Sequence, residues 1–502
     1  MSRKLPIFYS AILLTLVNLL LRVVGTSFQV YLSGRIGAEG IGLLQLTLSV
    51  GSMALVAGMA GIRTATMYLT AEETGKKRPQ NITWVLSACI TYSLIFSGII
   101  ASVVYIFAPF FAEAWIGNAA IVDTIRLYAA FLPVNCLCGV MVGYFTGANR
   151  IGTLAIVEIF EQFCVMAATV LFLTFWAGHD PERSCFSVVL GGCVGSCVTL
   201  CCLILLRIKE KSVAGKPISV AHRLADTALP LAVADDLRTG ISTLENLMVP
   251  KRLALYPGTT SALASFGIVS GMVFPILTFP AALQYGLIEL LIPELARCNA
   301  AGSKKRIQYL VVRSLRLSML YGLLAGGILF LSADSLCAKL YKSQEAGIYL
   351  RWFSLLAVML YCDGITDAMI KGLGQQKASV RYNILTNIMD VIFLFFLLPK
   401  YGIKGYFISF LVTHAINFML SLRRLLRISK LQLRLKTPLM TGAAAVIAAG
   451  LASFLPLARH RVIGYTLIWL CLLQLLGIIQ KRDLVWLKGL IRIKRQKASS
   501  RG

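Results

Sequence analysis

About fourteen stretches of roughly twenty apolar residues divide this chain, and that repetition excludes nearly every soluble fold. They lie near 8–34, 41–70, 84–107, 124–147, 153–176, 185–207, 227–250, 262–296, 308–332, 349–371, 378–398, 404–424, 437–458 and 461–480. In hydrocarbon each backbone N–H and C=O must find its partner inside the segment, so windows of this length are helices. With 57% hydrophobic and only 14% charged residues over 502 positions, the chain reads as an all-α polytopic membrane protein of about fourteen spans. Arg3 and Lys4 precede the first window as in a signal peptide, but no small-residue cleavage site follows the long apolar run. An uncleaved signal-anchor is expected. Gly58 and Gly61 in the second window, and Pro275, Pro280 and Pro293 in the eighth, predict kinks.

The net charge of +27 sits in short loops between apolar runs, a pattern that points away from nucleic acid. With both termini cytoplasmic, inner segments hold about 32 of the 49 Lys and Arg and outer loops about 10. That bias predicts an N-in, C-in orientation, with the basic tail 483–502 against anionic lipid. The thirteen cysteines are scattered without histidines at metal-ligand spacing, so they read as reduced packing residues. Neither a metal nor a cofactor is expected. Gly372-Leu-Gly-Gln-Gln-Lys377 lacks the spacing of a phosphate-binding loop, and nothing suggests an enzyme.

Tyr128–Leu173 can be laid on Phe353–Leu398 without a gap, at a constant offset of 353 − 128 = 225 residues. Gly139 falls on Gly364 and Gly147 on Gly372. Such repeats are the common construction of secondary transporters. They predict an N-lobe at 1–226 (spans 1–6), a C-lobe at 227–430 (spans 7–12), and two additional spans at 431–482 ahead of the tail.

Polar residues inside the windows narrow the function. At ~1.5 Å rise per residue, Arg22 lies about 20 Å beyond Phe8, deep in a core of about 30 Å. A charge there costs roughly 2.5–3.5 kcal/mol even on lenient scales. It is either paired with a carboxylate or set in a cavity that takes an anion. Arg63 and Arg238 are further candidate cavity cations. Asp235, Asp236 and Arg238 fall within one turn of span 7, as an internal network or as carboxylates that take up a coupling cation or proton. Glu158 and Glu161 share one face of span 5, while Asn383, Asn387 and Asp390 form an inward stripe on span 11. His414 on span 12 lies at the depth of Asp390, so a hydrogen-bonded pair of the two is feasible, as proton relay or as interhelical glue. Asp363 and Asp367, four residues apart, are placed to pair with Lys371. These features describe a two-lobed secondary transporter with a cationic cleft and an anionic substrate. A non-transporting scaffold leaves the insertion cost of so many charges unexplained.

Several short motifs recur in order along the chain. They include Arg22-Val-Val-Gly25, Gly37-Ala-Glu-Gly40-Ile-Gly42, Ala71-Glu72, and Gly143-Tyr-Phe-Thr-Gly147 with Glu161-Gln162. Ala228-Leu-Pro230, Ser270-Gly-Met272 with Pro280, and Leu291-Ile-Pro293-Glu294 follow. Lys371-Gly-Leu-Gly374 and Leu398-Pro399-Lys-Tyr-Gly402-Ile-Lys-Gly405 complete the series. With these the sequence resembles the multidrug/oligosaccharidyl-lipid/polysaccharide exporter superfamily, most of all its polysaccharide-transport branch, which includes a sporulation protein and is related to lipid II flippases. The resemblance implies a V-shaped fourteen-helix fold and alternating access in a bacterial cytoplasmic membrane. It also implies a lipid-linked saccharide as cargo, its pyrophosphate held by Arg22. Those flippases carry a second arginine shortly after the motif, where this chain has Thr26 and Ser27. Lipid II and a related undecaprenyl-linked glycan therefore both stand as cargo, beside the runner-up of a cation-coupled drug exporter. A role in sporulation rests on the resemblance alone.

Overall fold

The computed structural model describes residues 4–76, 78–178, 180–209, 220–259, 261–432 and 436–478. The tail 483–502 lies outside the described residues. Among them the regular structure is helical, without a strand. The main helices are α1 (Lys4–Met59), α2 (Ile62–Gly75), α3 (Pro79–Ile106), α4 (Val122–Gly147), α5 (Ile151–Phe172) and α6 (Pro181–Ile208). They continue with α7 (Ala221–Leu253), the bent pair α8 (Ala262–Thr278) and α9 (Ala281–Ala300), and α10 (Lys304–Tyr341). Then come α11 (Gln344–Ser354), α12 (Ala357–Gly372), α13 (Gln376–Tyr401), α14 (Ile403–Ser429), α15 (Lys436–Ser453) and α16 (Ala458–Leu475).

Both windows expected to kink are broken, at Gly61 and at Pro280, while Gly58 and Pro293 lie inside continuous helix. Gly37 interrupts α1 with φ 73° and ψ 177°, between the first two apolar windows. The second window breaks at Ala60 and Gly61, both left-handed. In the eighth, α8 and α9 meet at 58° across Phe279 and Pro280, where the proline withholds an N–H from the helix ladder. Among the described residues, eight helical stretches are long and apolar enough to cross a membrane, or ten when each of two bent pairs counts once. One of the eight, Leu19–Thr74, contains most of two predicted windows. Helix α7 carries Asp235, Asp236, Arg238 and Glu245, which breaks its apolar run, while the 18-residue helices α15 and α16 open on Lys436 and on Arg459, His460 and Arg461.

By internal packing the chain forms two compact units, Met1–Leu290 with Val380–Thr413, and Leu291–Ser379 with His414–Gly502. In the first, Ile41, Leu44, Ile121, Leu132 and Cys136 form one core, and Ile62, Ala65, Val140, Phe145 and Ala228 a second. In the second unit, α15 and α16 pack on α10 through Ala444, Ala448, Tyr465 and Trp469. The Tyr465 hydroxyl donates to the Leu323 carbonyl at 2.8 Å, so this buried tyrosine is satisfied.

The sequence repeat reappears in backbone detail. Helix α4 ends at Gly147 and α5 starts at Ile151; α12 ends at Gly372 and α13 starts at Gln376, each 225 residues on. Both turns place a left-handed residue two positions before the next helix, Asn149 (φ 58°) and Gly374 (φ 78°). Both close with equivalent bonds, from Arg150 N–H to Phe145 C=O and from Gln375 N–H to Ile370 C=O. The paired glycines also do the same work. A Cβ on Gly147 would lie 2.5 Å from the Met67 carbonyl oxygen, and one on Gly372 would lie 2.9 Å from that of Ile292. Gly139 packs on Met59, whereas Gly364 has open space beside it, so that second match is not one of packing. Gly147→Ala is expected to destabilise by about 1–3 kcal/mol and Gly372→Ala by less, since overpacking cost follows the closeness of the clash. Thermal unfolding of both variants in detergent checks the order, and a reversed order would remove the packing explanation.

Candidate functional site

Arg22 is half-buried in α1. Its Nη2 donates to the Thr278 carbonyl at 3.0 Å, and its guanidinium lies 5.7 Å from the Tyr285 ring centre, within cation–π range. The bend in the eighth window creates that acceptor. In a continuous helix the Thr278 carbonyl would accept from the Ala282 N–H, which here turns to Phe279 C=O at 3.1 Å. The freed carbonyl also ends a helical segment, where the dipole is negative. Among the described residues no carboxylate pairs with Arg22. Of the five N–H donors a guanidinium carries, one is used here.

The charges of α7 are arranged differently from the internal network that is one of the two sequence readings. Asp235 and Arg238 are both exposed, and Asp236 is half-buried with one carboxylate oxygen shielded and unbonded. Among the described residues no ion pair joins Arg238 to either aspartate. Spacing within one turn permits such pairs without compelling them. Arg63 stands exposed in the first turn of α2, within the electrostatic reach of half-buried Glu158, which in turn acts on Glu161. Asn383 and Asn387 are half-buried on α13.

Asp390 is 6% exposed and lies among hydroxyls. Ser409 Oγ donates to its Oδ1, and Thr413 Oγ1 donates to the same oxygen at 3.2 Å. Ser409 and Thr413 are four residues apart on α14 and so share one face. A second carboxyl, Glu245 of α7, comes within hydrogen-bonding range of Asp390. Buried Tyr406 stands beside both, its hydroxyl toward Ser270. Two carboxyls in contact need a shared proton or a cation between them. The sequence signal for Glu245 was an acid deep in span 7, overshadowed by the Asp235/Asp236 pair.

His414 has a carboxylate partner on a different helix from Asp390. His414 Nδ1 lies 3.3 Å from Oδ2 of Asp363 on α12, and Asn417 Nδ2 donates to both Asp363 oxygens at 3.1 and 3.0 Å. Consecutive helical residues point about 100° apart, so the Thr413 bond to Asp390 and the His414 contact with Asp363 leave α14 in different directions. The predicted pair of Asp367 with Lys371 is present at 2.7 Å.

Known proteins share this fold. A family model described as "Polysaccharide biosynthesis protein" matches residues 8–226. Stage V sporulation protein B of Bacillus subtilis (strain 168) is 21% identical over 456 residues, covering 88% of each chain. The solved structure of lipid II flippase MurJ in an inward closed conformation superposes with a TM-score of 0.70 at 13% identity, over 94% of this chain and all of that one. An inward-facing multidrug resistance MATE family transporter of the MOP superfamily gives 0.65 at 15% identity, over 84% of this chain and all of that one. The fold is that of MOP-superfamily transporters, in a multi-pass membrane protein. In sequence the chain is similar to Stage V sporulation protein B over 88% of its length.

Proposed function

We propose that the protein is a secondary-active flippase that moves a lipid-linked saccharide, an undecaprenyl-pyrophosphate-linked glycan or peptidoglycan precursor, across the bacterial cytoplasmic membrane by alternating access. Fourteen spans in two six-helix lobes, with two appended helices, carry the movement. The observation that supports this reading most is Arg22, a cation within the apolar stretch that no described carboxylate neutralises. Its bond to Thr278 and contact with Tyr285 hold the guanidinium at the bend between α8 and α9, with donors left over for a pyrophosphate. Arg63 and Arg238, both exposed and outside any described ion pair, add positive charge for the same anion. A proton or small monovalent cation held between Glu245 and Asp390 couples the cycle.

Arg22→Ala is expected to abolish transport of the lipid-linked saccharide in proteoliposomes while folded protein remains in the membrane. Arg22→Lys should rescue it in part, because an ammonium lacks the bidentate fork. Native mass spectrometry with undecaprenyl-pyrophosphate-linked saccharides reads binding directly. Normal binding and transport by Arg22→Ala would sink the proposal. Asp235 and Asp236, without a described cation partner, favour the drug-exporter reading, which gains if organic cations bind in place of those lipids.

A further inference from the structure

An apolar cavity of about 770 Å³ lies beside the C-terminal half of α7, and Arg22, Glu245 and Asp390 are not among its described lining residues. Met53, Leu244, Leu247 and Val391 line its body. Lys251 and Arg252, successive residues near the end of α7, line it as well, and among its described lining residues none is acidic. Lys251 Nζ donates to the Ala114 carbonyl, and Arg252 stacks on Phe395. These contacts fix both cationic heads while leaving each with unused N–H donors. Trp115, also on the wall, packs edge-on against Phe111 in the short segment Phe111–Ile116. A tryptophan beside two basic groups matches the level of membrane headgroups.

The volume falls in the range of about 300–1,000 Å³ typical of ligand sites. Its chemistry is divided, with a long apolar body and two positive charges near one end. A neutral hydrophobe would leave both cations unmatched, and a free phosphate would leave the apolar body unfilled. We propose that this cavity is a binding site for an anionic phospholipid, one chain lying along α7 between Met53 and Val391 and the phosphate resting on Lys251 and Arg252. By the loop-charge orientation it opens in the outer leaflet. The site is independent of what the transporter carries.

The test uses the full-length protein in nanodiscs of mixed phosphatidylglycerol and phosphatidylcholine, released into native mass spectrometry. Wild type should retain one phosphatidylglycerol selectively. Each basic side chain near a charged headgroup contributes about a fivefold preference, so the Lys251→Gln/Arg252→Gln variant should lose about twenty-fivefold. Leu244→Trp keeps both cations and places bulk in the cavity from an exposed position, so it should also expel the lipid without disturbing the core. Equal retention of the two lipids, or unchanged retention in the charge variant, overturns the proposal. So does displacement of phosphatidylglycerol by equimolar undecaprenyl phosphate, which would assign the cavity to a cargo lipid, or by inorganic phosphate, which would reduce it to an anion site.

Discussion

Arg223→Ala is expected to cost about 3 kcal/mol of stability, the low end of the roughly 3–5 kcal/mol seen when a buried ion pair loses one partner. Arg223 near the start of α7 reaches two successive carboxylates at the end of α2, donating to Glu72 at 2.6 Å and to Glu73 at 3.1 Å. The two acids differ in what they would have left. The Glu72 side chain is 28% exposed and keeps Lys76 at 2.5 Å. The Glu73 side chain is only 2% exposed and would keep a single neutral donor, Asn81 at 2.9 Å. The loss therefore falls on Glu73, a charge out of water without a counter-ion. Arg223 itself is 39% exposed, which is why the low end applies. Lys76→Ala removes an exposed pair and should change stability by less than about 1 kcal/mol. Removing both partners together, as Glu73→Gln/Arg223→Met, should recover most of the loss, because the buried Glu73 charge goes with its counter-ion. Thermal unfolding in detergent ranks the three variants, and an unchanged midpoint for Arg223→Ala would show that the contact carries no net stability. The tie holds α2 to α7, so its loss should also alter how readily those helices separate.

Much of this architecture can be read from residue order, because lipid forces local satisfaction of the backbone. Each apolar window lies largely on helix, and the kinks fall where glycine and proline stand. The repeat was legible down to the turn, since Asn149 and Gly374 are residues that tolerate the left-handed conformation both turns require. Pairings between helices were not legible in the same way. Asp390 and His414 sit at matching depth, but depth fixes one coordinate and rotation about the helix the other. The 100° between Thr413 and His414 sends the histidine to Asp363. Arg223 and Glu73 are 150 residues apart, and nothing local in either segment announces the other. Arg22 was recognised as costly from sequence. That its partner is the free carbonyl of a broken helix follows only from the bend at Pro280.

Under the proposed coupling site, removing the carboxyl pair of α7 and α13 should abolish the protein's response to sodium and to pH. Glu245 and Asp390 meet within hydrogen-bonding range, Asp390 already accepts from Ser409 and Thr413, and buried Tyr406 closes the surroundings. Hydroxyl donors stabilise one carboxylate; they do not cancel the repulsion of a second. If a small cation occupies the gap, folded protein gains RT ln(1 + [L]/Kd), or about 2.7 kcal/mol at a hundred times Kd. Sodium at fixed pH should then raise the unfolding midpoint of the wild type. If a proton is shared instead, sodium does nothing and acidification in sodium-free buffer raises it. Glu245→Gln/Asp390→Asn should be flat in both titrations, because two amides can hydrogen-bond each other without a charge to balance. The same variant should transport without dependence on either gradient. A double variant that still responds to sodium or to pH like the wild type would place the coupling site elsewhere, with Asp235 and Asp236 next to be tested. Transport lost with the ion response intact would instead mark the pair as structural glue between α7 and α13, since coupling demands that the ion's binding energy and the movement of cargo fail together.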